Sequence, residues 1–140
     1  MRQIRTILWI MVVVLTLATV SYGAEQNKEK EILPRFSSLS SVTVDTNIKG
    51  STAYSKVTLE PKSAAPDYVK VVVKLMKEGS STAIKSWAKT LYLTDAGDFY
   101  FEGSQLLTRR GTYYTEATIE CYRGGTVVDD LIVASEMVEY

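Results

Sequence analysis

Arg109-Arg110-Gly111-Thr112-Tyr113-Tyr114-Thr115-Glu116-Ala117-Thr118-Ile119-Glu120-Cys121-Tyr122 alternates with a period of two from the turn at Gly111 onward. Tyr113, Thr115, Ala117, Ile119 and Cys121 share one side; Tyr114, Glu116, Thr118, Glu120 and Tyr122 share the other. This pattern predicts a β-strand with one buried and one wet face, because successive strand residues point to opposite sides of a sheet. The charged residues all fall on the second side, which makes the first side the core.

Working outward, the same pattern recurs. Val42 to Ile48 alternates with Val42, Val44 and Ile48 inward. Lys49-Gly50-Ser51 is a turn, and Thr52 to Glu60 follows with Ala53, Ser55, Val57 and Leu59 inward. Tyr68 to Lys77 places Val69, Val71, Val73 and Leu75 inward and Lys70, Lys74 and Met76 outward. Ala83 to Thr94 is muddled, since Trp87, Leu91 and Leu93 share a parity with Lys85 and Lys89. Either a bulge intervenes there or Trp87 covers a sheet edge. Phe99 to Leu107 is a fifth strand and Tyr113 to Tyr122 the sixth. Arg123-Gly124-Gly125 makes a tight hairpin into a last strand, Thr126 to Val138, where Asp129-Asp130 marks an edge position or a break. No stretch from Val42 onward keeps a helical period over ten residues. The expected architecture is all-β: an antiparallel, seven-stranded, immunoglobulin-like β-sandwich over residues 36–140.

The N-terminus carries an address. Met1-Arg2-Gln3-Ile4-Arg5 is a short positive region, Thr6 to Val20 is apolar, and Ser21-Tyr22-Gly23-Ala24 supplies small residues. This is the layout of a secretory signal peptide over residues 1–23, cut after residue 23 or 24. An uncleaved anchor is the alternative, although the apolar run falls short of the roughly 20 residues that span a bilayer. Residues 24–35 are charged, lack an apolar stripe and read as a flexible lead-in. The expected location is secreted or cell-surface, with membrane contact only through the signal peptide if it stays uncleaved.

Three short motifs carry a resemblance. Gly111-Thr112-Tyr113 through Ala117-Thr118, followed by the Gly-Gly hairpin, resembles strands F and G of fibronectin type III domains. The Gly-x-Tyr entry is similar to the tyrosine corner of immunoglobulin-like sandwiches, where a Tyr hydroxyl bonds back to upstream backbone. Together with Ser37 to Ser41 and Lys85-Ser86-Trp87, these motifs make the chain look like an uncharacterised family of short exported proteins of Gram-positive bacteria. The resemblance implies a small β-sandwich of unknown function and carries over no catalytic residue.

Composition removes several chemistries. Sixteen basic and sixteen acidic residues cancel, so no global basic field recruits nucleic acid. There is no histidine, which removes the commonest general base and most zinc sites. The lone Cys121 cannot form an internal disulfide and sits on an inward parity, as a small buried hydrophobe would. Asp95, Asp98 and Glu102 surround a Gly-containing loop, but turn chemistry explains such residues without calcium. Glu116 and Glu120 are roughly 13 Å apart along a strand, beyond either glycosidase spacing. No catalytic, cofactor or metal residue is expected. Nine tyrosines are the most distinctive count. Tyr54, Tyr68, Tyr114 and Tyr122 fall outward, with Tyr92 as a further candidate, and outward aromatics line protein interfaces or stack on sugars. The expected function is an exported, non-enzymatic module that acts by surface or protein binding, with a cell-surface protein or glycan as the candidate partner. The alternative is a carbohydrate-binding module that uses those five tyrosines on a glycan.

Overall fold

The computed structural model describes residues 36–140. The expected signal peptide and the lead-in, residues 1–35 together, lie outside the described residues. Among the described residues there is no helix, and the strands are β1 (Leu39–Lys49), β2 (Thr52–Pro61), β3 (Tyr68–Lys77), β4 (Lys85–Leu91), β5 (Phe99–Leu106), β6 (Thr112–Arg123), β7 (Thr126–Ala134) and β8 (Val138–Glu139). They form two antiparallel sheets. One has the order β1-β2-β5; the other has the order β4-β3-β6-β7, with β8 also paired to β6.

The inward residues of the two sheets share one core, in which Val57, Leu59 and Phe99 of the small sheet join Val69, Val73, Ala117 and Ile119 of the large one. Every inward residue predicted for β2 and β6 is buried. A satellite cluster at one end joins Ala53, Leu75, Leu107 and Tyr113. Tyr113 is 2% exposed and its hydroxyl donates to the Arg109 carbonyl at 2.6 Å, as a tyrosine corner does. The β6–β7 hairpin has Gly124 and Gly125 at its tip, both with positive φ (59° and 77°), the geometry of a two-residue turn that matches strand twist.

Three expectations are corrected and one alternative is resolved. Among the described residues the strands number eight rather than the expected seven, because the last segment breaks after Ala134: Ser135 turns inward, its amide bonding the Thr115 carbonyl at 2.8 Å, and Val138–Glu139 pairs separately with the start of β6. The fourth strand is Lys85–Leu91, shorter than Ala83 to Thr94, and Leu93 is 51% exposed. β4 pairs β3 without a register shift, so there is no bulge. Instead β4 is an edge strand, and Trp87 covers the gap between the sheets, packed on Phe101 of β5 at 5.8 Å between ring centroids. Met76, expected outward, is 9% exposed; it lies directly opposite Tyr114, and a bulky cross-strand neighbour shields it.

Asp129 and Asp130 point to opposite faces, as successive strand residues do, on the edge strand β7, just after a register shift. The Asp129 carboxylate accepts from the amides of Ser37 and Ser38 at 3.1 and 2.9 Å and from both hydroxyls, tying the approach to β1 onto β7. Burial alone would raise its pKa, but these four bonds favour the charged form and hold it below the ordinary value. Cys121 is fully buried, and burial pushes its thiol up to about 11.

Between the sheets runs a chain of buried hydroxyls. Ser55 meets Thr115, Thr115 meets Thr46 and Thr46 meets Ser135, each at 2.7 Å. Its direction is set at the far end. Ser135 donates to the Glu136 carbonyl at 2.8 Å and accepts the Thr115 amide at 2.9 Å. A hydroxyl has one proton, so Thr46 donates to Ser135, Thr115 to Thr46, and Ser55 to Thr115. All bonds point one way, the arrangement in which they reinforce one another.

Candidate functional site: the outer face of the large sheet

The five predicted tyrosines separate. Tyr68, Tyr92 and Tyr122 gather at one end of the outer face of the large sheet. Tyr68 and Tyr122 are cross-strand partners and stack at 4.9 Å and 11°, and Tyr92 tilts against Tyr68 at 6.3 Å. Tyr114 lies at the far end of the same face, opposite Met76. Tyr54 lies on the other sheet, beneath the Lys49 ammonium at 5.9 Å.

The gathered rings are largely occupied by one another. Tyr68 is flanked by Tyr122 and Tyr92, and the Lys70 ammonium lies over the Tyr122 ring at 5.1 Å. The Tyr122 hydroxyl donates to Glu120 at 2.6 Å, which leans the ring back along its strand; that bond is the main cause that raises its pKa. Only Tyr92, 66% exposed, offers a broad open ring. A sugar-stacking platform needs open faces, and one ring makes a small one.

The rest of the face is ordered in rows, because antiparallel partners point to the same side. Thr90, Lys70, Glu120 and Asp130 form one row across β4, β3, β6 and β7. The next is Ala88, Val72, Thr118 and Ile132, and the third is Ser86, Lys74, Glu116 and Ala134. The middle row is uncharged from edge to edge, and its Val72 and Ile132 are 37% and 69% exposed. A shallow groove of about 350 Å³ follows it over β3 and β4, floored by Val72, Ala88 and Thr118. Ile132, Val72 and Ala88 were missed from sequence because none stands out within its own strand; the row exists only once register is known.

Other candidates do not assemble. A cleft of about 390 Å³ at one end of the sandwich is lined by loop residues with Lys77, Arg109 and Tyr113, and the Tyr113 hydroxyl there is already engaged with backbone. Asp98 accepts from the Thr94 hydroxyl within its own turn, and Glu102 accepts from Tyr100, whose pKa that bond pushes up to about 12. Glu116 and Glu120 occupy separate rows beside lysines.

No family model matches this sequence, and no curated protein matches it. Among solved structures, the chain is similar to a crystal structure described as that of a "putative beta-galactosidase" from Bacteroides fragilis, at 12% identity and a TM-score of 0.41. That likeness covers 66% of this chain and only 15% of the other, so it assigns no activity here.

Proposed function

We propose that this chain is an exported, non-enzymatic binding module, an immunoglobulin-like sandwich that docks a protein on the outer face of its five-stranded sheet. The strand order supports the immunoglobulin-like reading, since β1-β2-β5 facing β4-β3-β6-β7 is the division in which such sandwiches place their A, B, E and C′, C, F, G strands. One observation carries the docking reading: an uncharged row crosses the sheet and exposes Val72 and Ile132, bordered by charged rows and tyrosines. An apolar centre inside a polar, aromatic rim is the anatomy of a protein interface. The sugar reading is weaker because the stacked rings cover each other.

A photo-crosslinking side chain at Val72 should form protein adducts in the envelope or medium of the producing cell, whereas the same group at Lys56, on the other sheet, should not. The captured chain should begin at residue 24 or 25. Adducts at both positions would remove the outer face as the docking surface, and retention on wall polysaccharide lost in Tyr92→Ala would replace this reading with the glycan one. Full-length protein confined to the membrane would favour the anchor.

A further inference from the structure

We propose that the protein docked on this face is a second copy of the same chain, the two packing sheet on sheet about a two-fold axis parallel to the strands, between β3 and β6. The proposal rests on the docking reading above and names its partner.

The charges are sorted by strand. Lys70 and Lys74 lie on β3; Glu116 and Glu120 lie opposite them on β6, and Asp130 continues the second row on β7. The face is therefore positive on one half and negative on the other. A two-fold axis along the strands lays β3 of one copy over β6 of its partner and β4 over β7, while each row stays over the same row. Lys70 then faces the partner's Glu120, and Lys74 faces the partner's Glu116. A two-fold axis across the strands instead lays Lys70 over the partner's Lys74 and Glu120 over the partner's Glu116, and like charges so opposed are rejected. The charge pattern thus selects one of the two orthogonal in-plane axes.

Shape agrees with charge. The same axis places Ile132, which projects from the edge strand β7, over the partner's Ala88, where the groove lies. A large exposed residue meets a small one beside a hollow, twice by symmetry. Val72 meets the partner's Thr118 between them. Sheets packed face to face keep their strands within about 30° of each other, which an axis along the strands provides.

Size sets the strength. A patch four strands wide and about seven residues long spans roughly 19 by 23 Å. Two such patches bury on the order of 900 Å² before side-chain relief is counted, below the roughly 1,200 Å² at which stable specific interfaces begin and within the range of weak ones. The dimer is accordingly weak and reversible, its register fixed by charge and its affinity by the apolar row.

Sedimentation velocity on residues 33–140 tests this, since every strand and both core clusters lie within that unit. At about 100 µM chain the weight-average mass should rise toward twice the monomer value, an affinity of order 5 kcal/mol. Ala88→Arg, which fills the groove from an exposed edge-strand position, should stay monomeric with an unchanged circular dichroism spectrum. An acidic-face variant (Lys70→Glu with Lys74→Glu) and a basic-face variant (Glu116→Lys with Glu120→Lys) should each be monomeric alone and form a one-to-one dimer when mixed. A wild-type monomer up to about 1 mM, or dimers that persist through Ala88→Arg and both charge variants, would overturn the proposal. Crosslinking of Val72 to a different protein, with no self-association, would leave the docking reading intact and remove only the second copy.

Discussion

Tyr113 and Tyr114 are neighbours with opposite duties. Tyr113 fills the satellite core and bonds the Arg109 carbonyl; Tyr114 is half-buried on the outer face. Tyr113→Ala should cost about 3–5 kcal/mol through the cavity it leaves. Tyr113→Phe should cost about 1 kcal/mol, because the bond is lost while the exposed Arg109 keeps its carbonyl near water. Tyr114→Ala should cost less than about 1.5 kcal/mol, and urea melts rank the three. The hydroxyl chain makes a sharper demand. Ser55 stands at its donor head, so Ser55→Ala removes a bond without orphaning any donor. Thr115→Val keeps the shape but leaves the buried Ser55 proton with no acceptor. Thr115→Val should therefore cost about 1–3 kcal/mol and exceed Ser55→Ala. The reverse order in urea melts would mean that the chain runs the other way.

At the scale of the element, alternation made β2, β3 and β6 legible almost residue by residue, since both of their faces are covered or clearly wet. β4 and β7 were not legible to the same degree, because an edge strand buries little and its parity carries a weak signal. Trp87 shows why. It shares a parity with Lys85 and Lys89, which are exposed at the margin, while its own ring folds over the gap. Its seat is Gly103 on β5: a Cβ built there would meet the indole at 2.7 and 2.8 Å and the Phe101 ring at 3.0 Å. The ring cannot sink further without displacing the core, so Gly103→Ala should push it outward. The expected cost is about 1–3 kcal/mol, with a red-shifted tryptophan emission from residues 33–140, where Trp87 is the only indole. Unchanged emission and stability would mean that the indole does not rest on Gly103. The proposed binding face was illegible for a related reason: tyrosine positions could be counted along each strand, but the row Ala88–Val72–Thr118–Ile132 runs across strands and depends on three registers.

Over the whole sandwich, the two sheets meet along two open sides, and the sides are closed by different chemistry. Between β4 and β5 the closure is Trp87, which is apolar and indifferent to pH. Between β1 and β7 it is the Asp129 carboxylate bound to Ser37 and Ser38, with the Thr46–Ser135 bond further along. Acid should therefore loosen one side before the other. The bonds to Asp129 lower its pKa in the folded chain from the ordinary 3.8, so its contribution is fully present above that value and is lost as pH falls through the folded one. Asp129→Asn removes the charge, and its stability should depend less on pH. The variant should be less stable than wild type at pH 7, and the gap should narrow steadily as pH falls below about 4 and through the lowered folded value. Hydrogen exchange places the effect: the Ser38 amide and the start of β1 should lose protection in acid while β3 and β6 keep theirs. Parallel acid limbs for wild type and Asp129→Asn would move the titrating group elsewhere, and the β1–β7 side would then be held by its buried hydroxyls alone.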